Sequence, residues 1–273
     1  MKHCLRLAVG LTALLGSCSY DYRLTSEHEF TWDTTGLSLL ELKTRNGYLS
    51  VVGGYVGEVA NFDVTRVCYG RDKEDAEKHI GRIRIVDSVI DGRLKVVADM
   101  PESSCRKYGA HFGGYVHRGM DLDLETSNAW SEILFIAADV KFRNSNAGIY
   151  LEGSRGRAEL FNSNGHITVK DHHGPVRAVT SNSEIAVGIV ELKPGENVDL
   201  ESSNGKIELS VPPALSASFE ASTSNGTVTV SGFSNVQYEI DKPNHKRGSI
   251  GSGGTEIQLT LKTTNADIVL AGN

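Results

Sequence analysis

The sequence has little that would cross a membrane as a helix. Its N-terminal apolar run, Leu7 to Leu15, has nine residues, whereas a bilayer-spanning helix needs about 20. The run follows the basic residues Lys2 and Arg6 and leads into small residues at Gly16-Ser17. A positive start, a short apolar stretch and a small-residue cleavage site are typical of a secretory signal. We therefore expect residues 1–17 to be a targeting segment rather than part of the fold.

The end of this segment, Leu15-Gly16-Ser17-Cys18, resembles the lipobox of bacterial lipoproteins. In a lipobox, small residues precede a cysteine that is lipidated and becomes the new N-terminus. We expect Cys18 to be lipidated, and several acyl chains together would anchor the protein stably to membrane lipid. The alternative is an ordinary secretory peptide that leaves Cys18 unmodified. By the same resemblance, Ser19 would allow transport to the outer membrane in a Gram-negative host.

Cysteine is scarce, with four in 273 residues. Cys4 would leave with the signal and Cys18 would carry lipid, so Cys68 and Cys105 remain. At the cell surface or in the periplasm, which are oxidising, we predict that these two form a disulfide; two free thiols are the alternative. The sequence has no CxxC or Cys/His spacing of the kind that binds zinc.

The sequence also lacks the motifs of several enzyme classes. It has no GxSxG, no Walker loop, no HExxH and no GxGxxG that opens a helix. The stretch 251–254 is glycine-rich but lacks the Lys-Ser/Thr of a phosphate-binding loop, so a plain loop is predicted. We expect Asp171-His172-His173 to be a solvated corner, and His111, His117 and Cys105 to share a loop without binding metal. Neither a cofactor nor a metal is predicted.

Positive charge is in deficit, because 28 Lys and Arg stand against 34 Asp and Glu, a net charge of −6. Lys2 and Arg6 leave with the signal and no acid does, so the net charge becomes −8. A surface of this sign does not suggest nucleic acid or anionic lipid as a partner.

What the sequence has in abundance is a short polar phrase, such as Thr223-Ser224-Asn225-Gly226. The phrase or its Asn recurs at Asn146, Asn164, Asn182, Asn204 and Asn225, with related windows at Asn46, Asn128 and Asn265. The residues six and four before the Asn and three and five after it are apolar, except at Asn128, where Ser131 falls on an apolar position. Side chains alternate along a strand, so each window predicts a strand, a tight corner and a second strand with one buried face.

Two all-β architectures fit such a unit. Asn-Gly between alternating strands is a hairpin signal, so an antiparallel meander is one of them. The regular spacing of the Asn residues, 18 to 22 from Asn128 to Asn225, favours a parallel β-solenoid with coils about 4.8 Å apart. In that geometry the Asn side chains would stack into a ladder along one edge.

The remaining segments depart from the repeat. Residues 18–35 are predicted to be a tether or a first strand. We expect 36–119 to be an N-terminal cap region that holds the first repeat unit, strands at 61–68, 83–89 and 93–98, a charged helix at 72–83 and a loop at 100–119. Residues 120–273 would be the solenoid repeats, with a further coil at 236–240 and an insertion at 243–254. A cap is expected because open solenoid ends would expose unpaired strand edges.

The phrase Thr-Ser-Asn-Gly followed by Ile-x-Val, after a lipoprotein-type signal and a region with a short helix and the strand LKVVADMP, resembles the bacterial putative-adhesin β-strand-repeat family. That family consists of domains of unknown function related to head-GIN adhesin-like domains. The resemblance spans residues 36–271 and implies a right-handed parallel β-solenoid at the cell envelope. It brings no catalytic residues, and the departures at Asn128 and after Pro243 leave the number of coils open.

Three functions remain from the sequence. The first is a non-enzymatic envelope lipoprotein whose solenoid is an adhesin-like or scaffold surface for an envelope protein or a surface polysaccharide. The second is a polysaccharide lyase or hydrolase that uses a file of outward carboxylates. These are Glu159, Asp199, Glu201, Glu208 and Glu220. Simple charge pairing with Lys170, Lys193 and Lys206 is the alternative for them, and a regulatory role in envelope stress is the third hypothesis.

Overall fold

The computed structural model describes residues 20–55, 57–102, 107–252 and 256–273. Within these ranges the regular secondary structure is β-strand apart from one helix, α1 (Lys73–Ile80). The strands are β1 (Tyr22–Asp33), β2 (Leu39–Lys43), β3 (Leu49–Tyr55), β4 (Val59–Gly70), β5 (Arg84–Ile90), β6 (Arg93–Asp99), β7 (Tyr108–His117), β8 (Asp121–Glu125), β9 (Ser131–Leu134), β10 (Val140–Asn144), β11 (Ile149–Glu152), β12 (Ala158–Asn162), β13 (Ile167–His173), β14 (Val176–Thr180), β15 (Ile185–Glu191), β16 (Val198–Ser202), β17 (Ile207–Val211), β18 (Ala217–Ser222), β19 (Val228–Ser231), β20 (Val236–Lys242), β21 (His245–Ile250), β22 (Gln258–Lys262) and β23 (Ile268–Gly272).

These strands form two long sheets. Sheet A has the order β1-β4-β7-β3-β9-β11-β13-β15-β17-β23-β19, and sheet B the order β20-β21-β18-β22-β16-β14-β12-β10-β8-β2-β6-β5. Neighbours in the middle of both sheets are parallel and in register, so that Val140 lies opposite Ala158 and Ala158 opposite Val176. The prediction of an all-β chain with parallel stacking is confirmed, and the antiparallel meander is wrong for this region.

Each repeat unit gives one strand to each sheet, and the core lies between the sheets. In the unit around Asn146, Val140 and Phe142 of β10 and Ile149 and Leu151 of β11 are at most 2% exposed. Full burial of a side chain of this size contributes about 1.5–3 kcal/mol. The apolar positions that the repeat predicts are therefore the positions that hold the two sheets together.

The C-terminal units do not stack in chain order. β22 lies between β16 and β18, and β23 lies between β17 and β19. The coil expected at residues 236–240 is wrong, because β20 and β21 form an antiparallel hairpin that covers β18. Val236, Tyr238 and Ile240 alternate as a strand would, but they belong to this terminal hairpin, with β20 at the edge of sheet B.

The N-terminal unit, β2 and β3, is continuous with the rest of the stack. It pairs with β8 and β9 on one side and with β6 and β7 on the other. Beyond it, β5, β4 and β1 add antiparallel strands, so the parallel pairing ends there. Residues 22–33, which the sequence left open between a tether and a strand, form β1.

The predicted helix at 72–83 is present in shorter form as α1. Asp72 caps it, since its Oδ1 accepts a hydrogen bond of 2.8 Å from the Asp75 backbone N, as an N-cap residue typically does. No helix in the described ranges is both long and apolar enough to cross a bilayer.

The loop predicted for residues 100–119 is wrong in its second part, where β7 forms. Glycines in this segment suggested a loop, but they are needed where backbones approach closely. A Cβ at Gly114 would lie 2.0 Å from the Asn61 carbonyl oxygen, and one at Gly109 would lie 2.7 Å from the Asn46 carbonyl oxygen.

The irregular window at Asn128 keeps its register. Ser131 faces inward opposite Ile149 and is fully buried. Its Oγ accepts a hydrogen bond of 3.1 Å from the Leu49 backbone N. A polar residue occupies this core position because its hydroxyl is paired, which removes most of the cost of burying it.

Candidate functional site

The repeated Asn side chains form a continuous hydrogen-bond ladder along one edge of the stack. Except in Asn46, where the ladder begins, each Nδ2 donates to the Oδ1 of the Asn in the neighbouring coil, at 2.5–2.9 Å. In spatial order the ladder runs through Asn46, Asn128, Asn146, Asn164, Asn182, Asn204, Asn265 and Asn225. Each bond contributes about 0.5–1.5 kcal/mol, and because the amides bind each other, the ladder is a structural element.

A second, buried ladder lies beside it, at the residue two before each Asn. This residue is always Thr, Asn or Ser, and its side chain donates to a backbone carbonyl of the adjacent coil at 2.7–3.1 Å. The donors are Thr44, Thr126, Asn144, Asn162, Thr180, Ser202, Thr263 and Thr223. Sequence reasoning gave this position no role, although its constant donor chemistry was the signal.

Thr180→Val tests the buried ladder. Thr180 is 2% exposed, and its Oγ1 donates to the Gly165 carbonyl oxygen at 3.1 Å. Valine has nearly the same shape but leaves that carbonyl unpaired, so urea unfolding should show a loss of about 1–3 kcal/mol. Thr168→Val, on the outer face of β13, is the matched control and should stay within about 0.5 kcal/mol. Equal losses in both variants would contradict the structural role of Thr180.

The carboxylates that a hydrolase would need are spread over four strands. Glu208 lies on sheet A, whereas Glu159, Asp199, Glu201 and Glu220 lie on sheet B. Ion pairs join Glu159 to Lys141 at 3.9 Å, Asp199 to Arg177 at 3.7 Å, and Glu208 to Lys206, and the Glu220 carboxylate lies 3.1 Å from His245 Nε2. The expected pairing with Lys206 is present, and the other bases differ from those expected. Glycoside hydrolysis uses a facing pair of carboxylates, whereas four of these five are engaged with basic side chains.

The corner at Asp171-His172-His173 differs from the solvated turn that was predicted. Asp171 has a positive φ of 49° at a register irregularity in β13, and this irregularity lets His172 turn inward. His172 is 1% exposed, and its Nε2 lies 3.1 Å from the Gly156 carbonyl oxygen. Its Nδ1 is buried without a hydrogen-bond partner in the described part of the chain. Burial therefore lowers the pKa of His172 to about 4.

This buried imidazole predicts a loss of stability in acid. Between pH 6.5 and about 4 the unfolded chain binds a proton at His172 that the folded chain excludes. The contribution of His172 to the free energy of unfolding should therefore fall by about 3 kcal/mol as the pH drops through this window, and stay constant below it. Urea titrations at several pH values would measure this slope. His172→Gln, which cannot titrate, should flatten it; an unchanged slope in that variant would contradict the assignment.

The predicted cysteine chemistry lies largely outside the described residues. Cys18 and Cys105 are not among them, so the lipidation of Cys18 and the disulfide between Cys68 and Cys105 stay predictions. Cys68 itself is buried in β4, with its Sγ 3.8 Å from the Tyr69 carbonyl oxygen. In the described ranges no three His, Cys, Asp or Glu side chains are grouped as a metal site.

The surface that sequence reasoning missed lies on the outer face of sheet A. Successive coils place Tyr48, Trp130, Gly148 and His166 two residues after the ladder Asn. Tyr48 stacks on His111 of β7, with ring centroids 4.5 Å apart and planes at 15°. Trp130 contacts Tyr150 of β11, with centroids 6.2 Å apart. We call His111, Tyr48, Trp130, Tyr150 and His166 the aromatic strip.

Gly148 makes the strip continuous. A Cβ at this position would lie 2.5 Å from His166 Nε2 and 3.0 Å from Trp130 Cδ1. The two rings, which come from alternate coils, therefore close over the coil between them. Tyr48 is 42% exposed and Trp130 45%. A row of exposed aromatic side chains on one face marks an interaction surface more often than a scattered exposed residue does.

Hydrogen-bonding groups are interleaved with the aromatic strip. Ser50 Oγ donates to Glu132 Oε1 at 2.8 Å, and the Tyr150 hydroxyl donates to Glu152. The bond to Glu152 raises the pKa of Tyr150 to about 12. The strip thus combines aromatic rings with the carboxylates of Glu132 and Glu152, which are oriented by the hydrogen bonds from Ser50 and Tyr150.

The imidazole of His111 is neutral in this surface. Its Nδ1 accepts a hydrogen bond of 3.1 Å from the Tyr48 backbone N. Burial, with the positive charge of Arg23 nearby, lowers the pKa of His111 below its usual value. The ring therefore supports Tyr48 without adding a charge.

Comparisons with known proteins find only distant structural matches. No protein-family model matches the sequence, and a search of curated proteins finds no significant match. Among solved structures, a "putative cell adhesion protein" from Clostridium sporogenes aligns with 91% of this chain and 99% of its own, at 13% identity and a TM-score of 0.39. A "putative adhesin" from Parabacteroides merdae aligns with 90% of this chain and 95% of its own, at 12% identity and a TM-score of 0.42. These scores do not assign the chain to a family, and the resemblance in the repeats stays a prediction.

Proposed function

We propose that this protein is a non-enzymatic, lipid-anchored protein of the cell envelope that presents one face of a right-handed β-solenoid, built of 18–22-residue coils, as an adhesin-like binding surface. The observation that carries the proposal is the aromatic strip on sheet A. The inward side chains and the two ladders hold neighbouring coils together, and the exposed rings of Tyr48 and Trp130 belong to neither. The strip adds exposed aromatic surface that the stack does not need.

The shape of the molecule supports a binding role over a catalytic one. Parallel coils joined in register give a stiff, extended surface on which one side chain position repeats from coil to coil. Tyr48, Trp130 and His166 use that repetition, since all three stand at the same position of their units. The carboxylates of the enzymatic alternative are instead spread over both sheets, and four of the five are engaged with basic side chains.

Membrane anchoring through Cys18 is the part of the proposal that fractionation can test. Expressed with its native signal in a Gram-negative host, the wild-type chain should sediment with membranes and incorporate labelled palmitate. Cys18→Ala should lose the label and move to the soluble fraction, because the acyl chains supply the affinity for the bilayer. Cys4→Ala, which leaves the lipobox intact, should behave as the wild type. A Cys18→Ala chain that remains membrane-bound, or an unlabelled wild type, would refute lipid anchoring.

A further inference from the structure

We propose that the aromatic strip binds a neutral, extended polysaccharide that lies along the stack axis and crosses successive coils. The inference rests on the proposed function, because it names the ligand class of the same face. It adds the chemistry of the ligand, its direction and the residues that contact it.

The spacing of the strip suits a repeating ligand. Coils of a parallel stack lie about 4.7–4.9 Å apart, so a side chain position that recurs in each coil forms a row along the axis. Tyr48 and Trp130 come from adjacent coils, and His166 reaches back over Gly148 toward Trp130. A polymer of similar units can repeat the same contact along this row, whereas a single small molecule would use only one part of it.

The side chain types favour a sugar chain over a protein surface. A pyranose ring has apolar C–H groups that pack on aromatic rings, and hydroxyl groups at its rim that need hydrogen-bond partners. The strip offers Trp, Tyr and His rings, which are themselves amphipathic. Beside them, Glu132 has one oxygen bound to Ser50 and a second oxygen that can accept from a ligand hydroxyl.

The charges at the strip disfavour anionic polysaccharides. Glu132 and Glu152 border the strip on β9 and β11, and a uronic acid polymer would bring further carboxylates against them. Lys170 lies 5.6 Å from the centroid of the Tyr150 ring, and the positive charge of Arg23 is close to His111. The two carboxylates and the two cations offset each other, so no excess positive charge attracts an anionic polymer, and a neutral polymer is favoured.

Affinity electrophoresis of the full-length protein in detergent tests the inference. Hydroxyethyl cellulose is the neutral, extended probe and polygalacturonate the anionic one. The wild type should be retarded by the first and not by the second. Trp130→Ala should weaken the retardation by about tenfold or more, as loss of a central aromatic contact does. Tyr48→Ala should weaken it less. Trp130→Phe should keep most of the wild-type retardation.

A matched control lies on the opposite face. Phe161 is a partly buried, outward side chain of β12 in sheet B, covered by Arg177. Phe161→Ala should leave retardation unchanged, and the Tyr48 and Trp130 variants should keep the wild-type melting temperature within about 2 °C, since both rings are exposed. A wild type that ignores hydroxyethyl cellulose, prefers polygalacturonate, or binds equally after Trp130→Ala would overturn the inference. If palmitate labelling and fractionation still depend on Cys18 in that case, only the ligand class is wrong.

Discussion

Replacing Ile207 by Asp is expected to unfold the middle of the stack. Ile207 is fully buried in β17, between Ile185 of β15 and Ile268 of β23. An unpaired carboxylate at this place has no partner and no water, and losses of this kind exceed about 4–5 kcal/mol. Since domains of ordinary stability have about 5–15 kcal/mol in total, far-UV circular dichroism should show a large fall in melting temperature or no folded protein.

The neighbouring residue supplies the control for this variant. Glu208 points outward from the same strand and pairs with Lys206. Glu208→Lys removes an exposed ion pair and should cost about 1 kcal/mol or less. If Glu208→Lys were as damaging as Ile207→Asp, the inward phase of β17 would be wrong, because a shift of one residue exchanges the two faces.

Gly205→Ala is expected to have the second largest effect. Gly205 follows Asn204 at the corner, and a Cβ there would lie 1.6 Å from the Ser183 carbonyl oxygen and 2.7 Å from the Glu184 backbone N. Both atoms are backbone, so they can move only if the coils separate. The same corner holds the buried bond of 3.0 Å from Thr263 to the Gly205 carbonyl oxygen. We expect a loss of about 3 kcal/mol or more in urea unfolding.

Gly81→Ala is the matched control for Gly205→Ala. Gly81 ends α1 with a φ of −66°, and nothing lies within 4 Å of its Cβ position. Alanine fits this conformation, so the change should be neutral or stabilising by up to about 1 kcal/mol. A similar loss at both positions would mean that the contact between the coils of Ser183 and Gly205 is not as close as described.

The repeat could be predicted because every unit obeys the same local rule. In windows such as that around Asn164, four apolar positions at fixed offsets define both strands and their buried face. The order of the coils in space could not be predicted in the same way. The window of Asn265 has the same apolar offsets as that of Asn225, so the pattern is equally satisfied whichever unit lies next to Asn204.

The apolar pattern also could not predict where single residues change the path of the backbone. Gly109 and Gly114 look like loop residues in the sequence, but both lie in β7. The strand needs glycine at these positions because neighbouring carbonyls leave no room for a Cβ. His172 looked exposed because it stands next to a corner, and the positive φ of Asp171 turns it inward. Both cases depend on contacts with other coils, which a local pattern does not contain.

The candidate site was hidden for a related reason. The polar phrase is conspicuous in the sequence, but its Asn and Thr side chains are hydrogen-bonded within the two ladders. Tyr48, Trp130 and His166 are 82 and 36 residues apart in the chain, and they form one surface only after the coils have stacked. The signal in the sequence is the ring that stands two residues after Asn46, Asn128 and Asn164.

The most direct test measures melting temperature and ligand affinity in two variants, one of a ladder residue and one of a strip residue. Asn182 donates to Asn164 at 2.7 Å and accepts from Asn204 at 2.9 Å, so Asn182→Ala should lower the melting temperature by several degrees. It should leave the affinity for hydroxyethyl cellulose unchanged, whereas Trp130→Ala should do the reverse. The account holds that the Asn ladder stabilises the stack and that the aromatic strip binds the ligand. A loss of affinity in Asn182→Ala at an unchanged melting temperature would contradict it, and so would full affinity in Trp130→Ala.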